Sequence, residues 1–417
     1  MSPLGKKIVV GFSILLVAYV ATGYMLGRTS SDDKAYRALT VYSEVLEHIQ
    51  RDYVDDPNMH AVTNGSLHGL LDSLDPQSAY LSPLDYQDYK EKSASDAPGE
   101  AGLALTRRFG YIGVIGVLPD SPAAKIGLRI GDILEKIAGF TTGQMAIDQA
   151  QLLLKGNPGT TVPLSVIRRG KAEPQEMTIT LAKLAPPKLV EDKIQGDIAY
   201  LHVPEFTPGM SRQIREKLVQ FQHSGARKLI LDLRDCSLGD DQEGVQTAQL
   251  FLSSGTIATL KGQTVTPIVY SAEPAKVVWT EPVSVLIGNG TAGPAEILAA
   301  AIAANKRGDA VGERTYGTAS QQKLIEMDDG AALILTVANY YTPDNKNIPS
   351  DGVGPTVEVH TSIDDLMAQA DLSQPAAAPS SSPNDPVVKK AIEILQGGAT
   401  VEKKAAKLLR WQPQLAA

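Results

Sequence analysis

Val283-Ser-Val-Leu-Ile287, Gly288-Asn-Gly-Thr-Ala-Gly-Pro-Ala295 and Glu296-Ile-Leu-Ala-Ala-Ala-Ile-Ala303 follow one another without a break. The first run is short, apolar and rich in β-branched residues, which fits a buried strand. The second is a glycine-rich elbow. The third reads as a helix opened by Pro294, because the first helical turn tolerates a residue without an N–H. Asp309-Ala-Val-Gly-Glu313, a short strand-like run, comes next, followed by Arg314-Thr-Tyr-Gly-Thr-Ala-Ser-Gln-Gln322. Strand, elbow and helix in this order can hold a nucleophile above a sheet, with free backbone N–H groups at the helix start as an oxyanion site. No serine stands at the sharpest point of this elbow.

Around the elbow, residues 185–362 alternate between the two kinds of element. Ile198-Ala-Tyr-Leu-His-Val203 and Lys228-Leu-Ile-Leu-Asp-Leu-Arg234 read as strands, and Met210 to His223 and Glu243 to Leu252 as helices. Ala332 to Tyr341 closes the block as a further strand. Such alternation predicts an α/β layer with a partly parallel sheet. Beyond it, Asp371 to Asp385 is rich in Pro, Ala and Ser and reads as a linker within 363–386. Val387 to Leu395 and Val401 to Leu409 are expected to form short helices in a tail over 387–417.

Upstream, residues 97–184 change to short strands. Tyr111-Ile-Gly-Val-Ile-Gly-Val-Leu118 is β-rich, Met145 to Leu154 is helical, and Gly156-Asn-Pro-Gly159 stops that helix. Ser121-Pro-Ala-Ala, Gly127-Leu and Gly131-Asp-Ile-Leu134 occur in order and resemble a PDZ domain. The resemblance implies a site for an extended C-terminal peptide, added as a strand beside a helix. By that resemblance Gly102-Leu103-Ala104-Leu105 would be the carboxylate loop. Ile147, Ala150 and Leu154 would line the groove helix. A groove that is blocked, or that serves as an internal clamp, is the alternative.

Residues 34–94 carry the helical spacings Tyr42, Val45, Leu46, Ile49, Tyr53 and Leu67, Leu70, Leu71, Leu74, so a helical region is expected there. Leu74-Asp-Pro76 ends the second of these helices, since the residue before proline avoids helical angles. Ahead of it, Lys6-Lys7 precede 20 uncharged residues, Ile8 to Gly27, closed by Arg28. That length suits a membrane span, and the flanking lysines favour an N-terminus kept in the cytoplasm. Residues 1–30 are therefore expected to be a signal anchor. A signal peptide cleaved after Ala21-Thr22-Gly23 is the alternative.

Composition removes several classes of function. A net charge of −8 and 5% aromatic residues argue against a nucleic-acid partner. The single Cys236 rules out an intramolecular disulfide and a cysteine zinc site. Six scattered histidines have no metal-ligand spacing. No metal and no cofactor are expected.

Further signatures agree over residues 40–395. Ser73-Leu-Asp-Pro-Gln-Ser-Ala-Tyr-Leu81, Leu231-Asp-Leu-Arg234, Val311-Gly-Glu313, Tyr340-Tyr-Thr-Pro343, Gly352-Val-Gly-Pro355 and Val357-Glu-Val359 resemble the carboxyl-terminal processing peptidases. The fold expected is then an α+β, multidomain chain. It has an N-terminal membrane anchor, a helical segment, and a PDZ domain ahead of an α/β peptidase-like core. That family uses a serine nucleophile, a neutral lysine as base and a helper glutamine. The resemblance places these roles at Gly293, Thr318 and Gln322. Gly293 and Thr318 stand 25 residues apart, the separation the family keeps. After Arg234 the family has a turn, Asn-Asn-Pro-Gly-Gly, that supplies oxyanion amides. Here it reads Asp235-Cys-Ser-Leu-Gly239, with Leu238 and Gly239 at the end of the turn. Serine, lysine and turn are altered together. Thr291, Ser320 and Cys236 are the residues that could stand in as nucleophile, and Lys323 lies five beyond the lysine position.

Three functions are compatible with these residues. The first is a catalytically dead homologue, exported and held at a bacterial inner membrane with its globular part in the periplasm. It would bind protein C-termini through the PDZ domain as adaptor or regulator, with a homo-oligomer or an active peptidase as partner left open. The second is an endopeptidase with an unconventional nucleophile. The third is a small-molecule binder, since retinoid-binding proteins of the eye resemble the same α/β core without peptidase activity.

Overall fold

The computed structural model describes residues 30–94, 99–360 and 381–397, apart from 109, 144, 169, 172, 187 and 195. The anchor expected over 8–27, most of the linker and the helix expected over 401–409 lie outside the described residues. Among the described residues no helix is long and apolar enough to cross a membrane. The chain divides into two compact units, Met1–Leu67 and His68–Ala417. In the first, α1 (Ser30–Asp52) meets the middle of α2 (Met59–Asp72), where the Tyr42 hydroxyl shares a 2.5 Å hydrogen bond with Ser66 Oγ.

The second unit begins with β1 (Ala79–Leu81) and α3 (Pro83–Ser93). The helical expectation for 34–94 needs correcting here. Ala79-Tyr-Leu81 is a strand because it pairs antiparallel with Ala332 to Ile334 of a long core strand. An apolar tripeptide after a proline turn takes whichever partner the fold offers, and this partner lies more than 250 residues further along the chain. Asp75 shapes the turn ahead of it by accepting the Gln77 and Ser78 amides.

Next comes the PDZ block. It comprises β2 (Gly99–Glu100), β3 (Leu103–Arg108), β4 (Tyr111–Val117), α4 (Pro122–Lys125), β5 (Ile133–Ile137) and β6 (Phe140–Thr141). It ends with α5 (Ile147–Leu153), β7 (Lys155–Gly156), β8 (Thr161–Ile167) and β9 (Gln175–Thr180). Its main sheet runs β3-β4-β5-β8-β9, so β3 is an edge strand. Ile112, Val114, Leu128, Leu134, Ile137, Val166 and Ile179 fill the space beneath α5.

The remaining block holds β10 (Val190–Lys193), β11 (Ile198–His202), α6 (Met210–His223), β12 (Lys228–Asp232), α7 (Asp241–Gln249), β13 (Thr256–Lys261) and β14 (Ile268–Ser271). It continues with β15 (Val283–Ile287), α8 (Pro294–Ala304), β16 (Asp309–Gly312), β17 (Ser320–Glu326), β18 (Ala332–Tyr341), α9 (Ile348–Asp351), β19 (Val357–Glu358) and α10 (Pro386–Gly397). Six strands form one sheet in the order β10-β11-β12-β15-β16-β19, parallel throughout except for β10. Alternation along each strand divides the two faces. Leu201, Leu231, Val285 and Ile287 face the helices α6, α7 and α8. Tyr200, Ile230 and Leu286 face Val388, Ala391 and Ile392 of α10. Burial on both faces explains why these strands read as continuous apolar runs. A second, antiparallel sheet runs β1-β18-β13-β14, with β17 also paired to β18.

Candidate active site

In a parallel sheet, loops that follow neighbouring strands leave from one common edge, and ligands meet the sheet there. Three such loops matter here. Residues 233–240 follow β12, 288–293 follow β15, and 313–319 follow β16.

Gly293 ends the elbow with φ 56° and ψ −120°, a backbone that L side chains rarely adopt. This is the sharp strand-to-helix turn on which a nucleophile would stand. A Cβ built here would lie 3.8 Å from Asp241 Oδ1 and 3.9 Å from Thr318 Oγ1, ordinary contact distances. The side chain is missing, but its space is kept. Thr318 stands beside it, with its hydroxyl oxygen accepting the Gly293 N–H at 3.0 Å. The positions that the resemblance gave to serine and lysine are thus neighbours. Gln322 is exposed and donates to Ser320 Oγ at 2.8 Å.

Glu296, fully buried one turn into α8, holds this arrangement together. Its carboxyl accepts the Gly293 N–H at 3.0 Å, the Thr315 hydroxyl at 2.5 Å, and the amides of Gly317 and Thr318 at 2.6 and 2.8 Å. Burial pushes its pKa upward, and the hydrogen bonds oppose that shift. One side chain therefore fastens the elbow to the loop that carries Thr318. Gln77 secures the same loop from outside, donating to the Thr318 carbonyl at 3.1 Å and accepting from Ser320 Oγ at 2.7 Å.

The free amides expected at the helix start are absent. Pro294 has no N–H, and it follows the position that the resemblance gives to the nucleophile, where elbow enzymes place an oxyanion donor. The next amides turn inward: Ala295 to the Ala292 carbonyl, and Glu296 and Ile297 to the Gly293 carbonyl. The residue pattern marks this proline as a helix opener; that it also withholds an N–H from the oxyanion side follows only from the elbow's geometry.

The turn that replaces Asn-Asn-Pro-Gly-Gly is also tied down. Asp235 pairs with the buried His202 across 2.6 Å. Burial opposes the imidazolium, yet Asp235 and Asp232 outweigh it and raise the His202 pKa. The Leu238 carbonyl accepts from Phe206 N–H at 3.0 Å. A Cβ at Gly239, whose φ is 127°, would sit 2.4 Å from the Phe206 carbonyl oxygen. None of the substitute nucleophiles is poised. Thr291 is buried and donates to the Leu233 carbonyl at 2.7 Å. Ser320 donates to Gln77, and Lys323 is exposed. Cys236 is buried, and burial beside Asp235 pushes its thiol well above the usual range, away from the reactive thiolate.

Sequence reasoning missed Asp241 entirely. At the first position of α7, its carboxyl faces the space left at Gly293. Burial pushes it up to about 7, with Asp240 and Glu296 adding to the shift. Nothing in the residue pattern marked it, because the approach of α7 to α8 is a tertiary contact.

The residues assigned to the peptide groove are mostly covered. Ala150 is fully buried, Leu154, Leu105 and Ile147 nearly so, and all four belong to the PDZ core cluster, with Leu103 packed partly against it. Gly102 turns with φ 77° against Ser121. Ala104 departs from the expectation. It packs with Ile115 against Ala292 of the elbow, because alternation sends its side chain to the face opposite Leu105. Thus β3 and β4 lie directly over the altered turn and the elbow.

A PDZ domain set before an α/β core of this topology defines a class of protein, and comparison with known proteins names the family. Residues 197–359 match peptidase family S41, and residues 113–168 match the PDZ domain. The chain is 27% identical over 336 residues to a carboxy-terminal-processing protease of Bartonella bacilliformis, covering 79% of this chain and 77% of that one. It is 29% identical over 353 residues to a carboxyl-terminal-processing protease of Synechocystis sp., covering 83% and 80%. The solved structure of a photosystem II D1 C-terminal processing protease shares the fold, with TM-score 0.64 and 22% identity over 81% of this chain and 99% of that one. The chain belongs to the carboxyl-terminal processing peptidase family.

Proposed function

We propose that this chain is a family member without serine/lysine proteolysis, which binds protein C-termini through its PDZ domain as an adaptor or regulator. The observation that carries this reading is Gly293. The elbow keeps the backbone of a nucleophile turn and the space for a side chain, yet supplies none. Thr318 replaces the base, and Pro294 removes an amide from the oxyanion side. Losing a nucleophile and base that act as a unit costs on the order of a millionfold in rate. Export and anchoring through residues 8–27, with the globular part in the periplasm, belong to the same proposal and rest on Lys6-Lys7 and the uncharged run.

The test is cleavage of a disordered protein by the full-length chain, beside Gly293→Ser/Thr318→Lys and the same pair with Pro294→Ala. No cleavage by the native chain is expected. The double variant is expected to stay inactive, and the triple variant to gain measurable activity once position 294 regains its N–H. Native cleavage that survives removal of contaminating proteases would overturn the reading. For the PDZ part, a peptide with a free C-terminus is expected to bind and its amidated form to bind at least tenfold more weakly. Equal affinities would sink that part.

A further inference from the structure

A cleft of about 780 Å3 opens beside Thr318, walled by residues 74–77, the end of β13 and the middle of β18. Two charged side chains line it, Asp75 and Lys261. Asp75 is fully engaged. Its carboxylate accepts the Gln77 and Ser78 amides, the Ser78 hydroxyl at 2.8 Å and the Thr336 hydroxyl at 3.0 Å. Lys261 is different. Its ammonium donates to Asn345 Oδ1 and lies 4.6 Å from the centre of the Tyr341 ring, both neutral partners, and it forms no ion pair among the described residues. In a chain of net charge −8, this cleft presents a cation without a carboxylate partner.

The rest of the wall suits a polypeptide. Gln263, Asn339 and Ser350 contribute amides and a hydroxyl, groups that match a peptide backbone. The sheet edge is also interrupted there. β1 pairs with Ala332 to Ile334, and β13 with Asn339 to Tyr341, so residues 335–338 have no strand partner on that edge; Ser78 Oγ accepts the Thr336 N–H at 3.1 Å, and Gly262 packs against the Val337 carbonyl. This gap spans about 13 Å, enough for an extended segment to rest against it through side-chain contacts rather than a backbone ladder. The volume lies within the roughly 300–1,000 Å3 typical of ligand pockets, and a single small anion would leave most of it empty.

We infer that this cleft binds an extended polypeptide segment by an acidic side chain, whose carboxylate is held by Lys261. The site is separate from the PDZ groove and does not depend on the PDZ reading. A segment seated there would touch Thr106 of β3 and cover Thr318.

The experiment measures fluorescence anisotropy of labelled ten-residue peptides on the full-length protein. One peptide carries Asp and Glu at its centre, one carries Asn and Gln there instead, and each is made with a free and an amidated C-terminus. The acidic amidated peptide is expected to bind, and the neutral one to bind about tenfold more weakly or not at all, as expected for one charge-assisted hydrogen bond. Lys261→Gln is expected to remove that preference, and Lys261→Glu to reverse it toward a lysine-centred peptide. Unchanged thermal unfolding of both variants assigns these effects to the cleft, since Lys261 is partly exposed. Equal binding of acidic and neutral peptides, an unaltered preference in Lys261→Gln, or failure of the amidated acidic peptide to bind would each overturn the inference. The arms separate the two sites, because amidation removes PDZ binding and leaves a side-chain carboxylate untouched.

Discussion

Glycine at 293 relieves a conformation that any other residue would hold under strain. Replacing it with serine meets no steric obstacle at 3.8 Å, but φ 56° is unfavourable for a residue with a Cβ. Gly293→Ser alone is therefore expected to lower stability by about 1–2 kcal/mol, read as a lower midpoint in urea with the slope unchanged. An unchanged midpoint would mean that the elbow relaxes. Asp241 adds a pH signature. Its folded pKa of about 7 exceeds the ordinary carboxyl value of 3.8, so the native state binds the proton more tightly than the unfolded chain. Stability is then fullest below about pH 4 for this group and declines as the pH rises toward 7. Asp241→Asn is expected to flatten that decline and to raise stability at pH 8 by on the order of 1 kcal/mol. Thermal unfolding of both proteins at pH 5 and pH 8 decides it. Parallel pH dependences would show that Asp241 ionises normally.

At the scale of elements, the chain announces its strands and helices more clearly than their ends or partners. Val283 to Ile287 and the helix from Pro294 were legible because a parallel strand buried on both faces reads as an unbroken apolar run, followed here by glycines and proline. Gly293 and Thr318 were legible as neighbours through the family resemblance alone. The tie made by Glu296 was not, because a glutamate in a first helical turn ordinarily faces water. Nor was the β1 pairing, which needs a partner far along the chain. The C-terminal helix illustrates the same limit. Its helical span was readable, while its fastening was not. Asp385 caps α10 by accepting the Val387 N–H at 2.9 Å and takes a 2.5 Å bond from Arg234, whose guanidinium also grips the buried Asp232. Asp385→Ala removes a helix cap and leaves a mostly buried guanidinium short of a partner, a loss of roughly 2–4 kcal/mol. Hydrogen exchange is expected to show the amides of residues 387–395 losing protection first, ahead of β11 and β12. Uniform loss across the sheet would mean that α10 does not open by itself.

At the scale of the whole second unit, the PDZ block and the altered site are built against each other. Ala104 and Ile115 pack on Ala292, with Leu238 and Tyr316 alongside. Ser237, in the turn after β12, approaches Gly116 so closely that an added Cβ would lie 1.8 Å from its hydroxyl oxygen and 3.2 Å from the Ala104 Cβ. The strand pair β3–β4 thus walls one side of the elbow, while the cleft beside Thr318 stays open. The seam depends on a small residue at 116. An alanine there could be met by turning the serine hydroxyl away, but the branched side chain in Gly116→Val has no such escape. Gly116→Val is therefore expected to lift the PDZ block from the core while leaving both folded, since Ile112, Val114 and Leu134 still fill the PDZ interior. Limited proteolysis is the check. Cutting within the connection at 182–189 should speed up several-fold, with 99–180 persisting as a protected fragment. Faster loss of the PDZ fragment itself would show instead that Gly116 serves the domain's own fold. Adding Ser237→Gly to Gly116→Val separates the two further. If the seam is the cause, removing the opposing hydroxymethyl group restores part of the native resistance; if the cause lies within β4, it restores none.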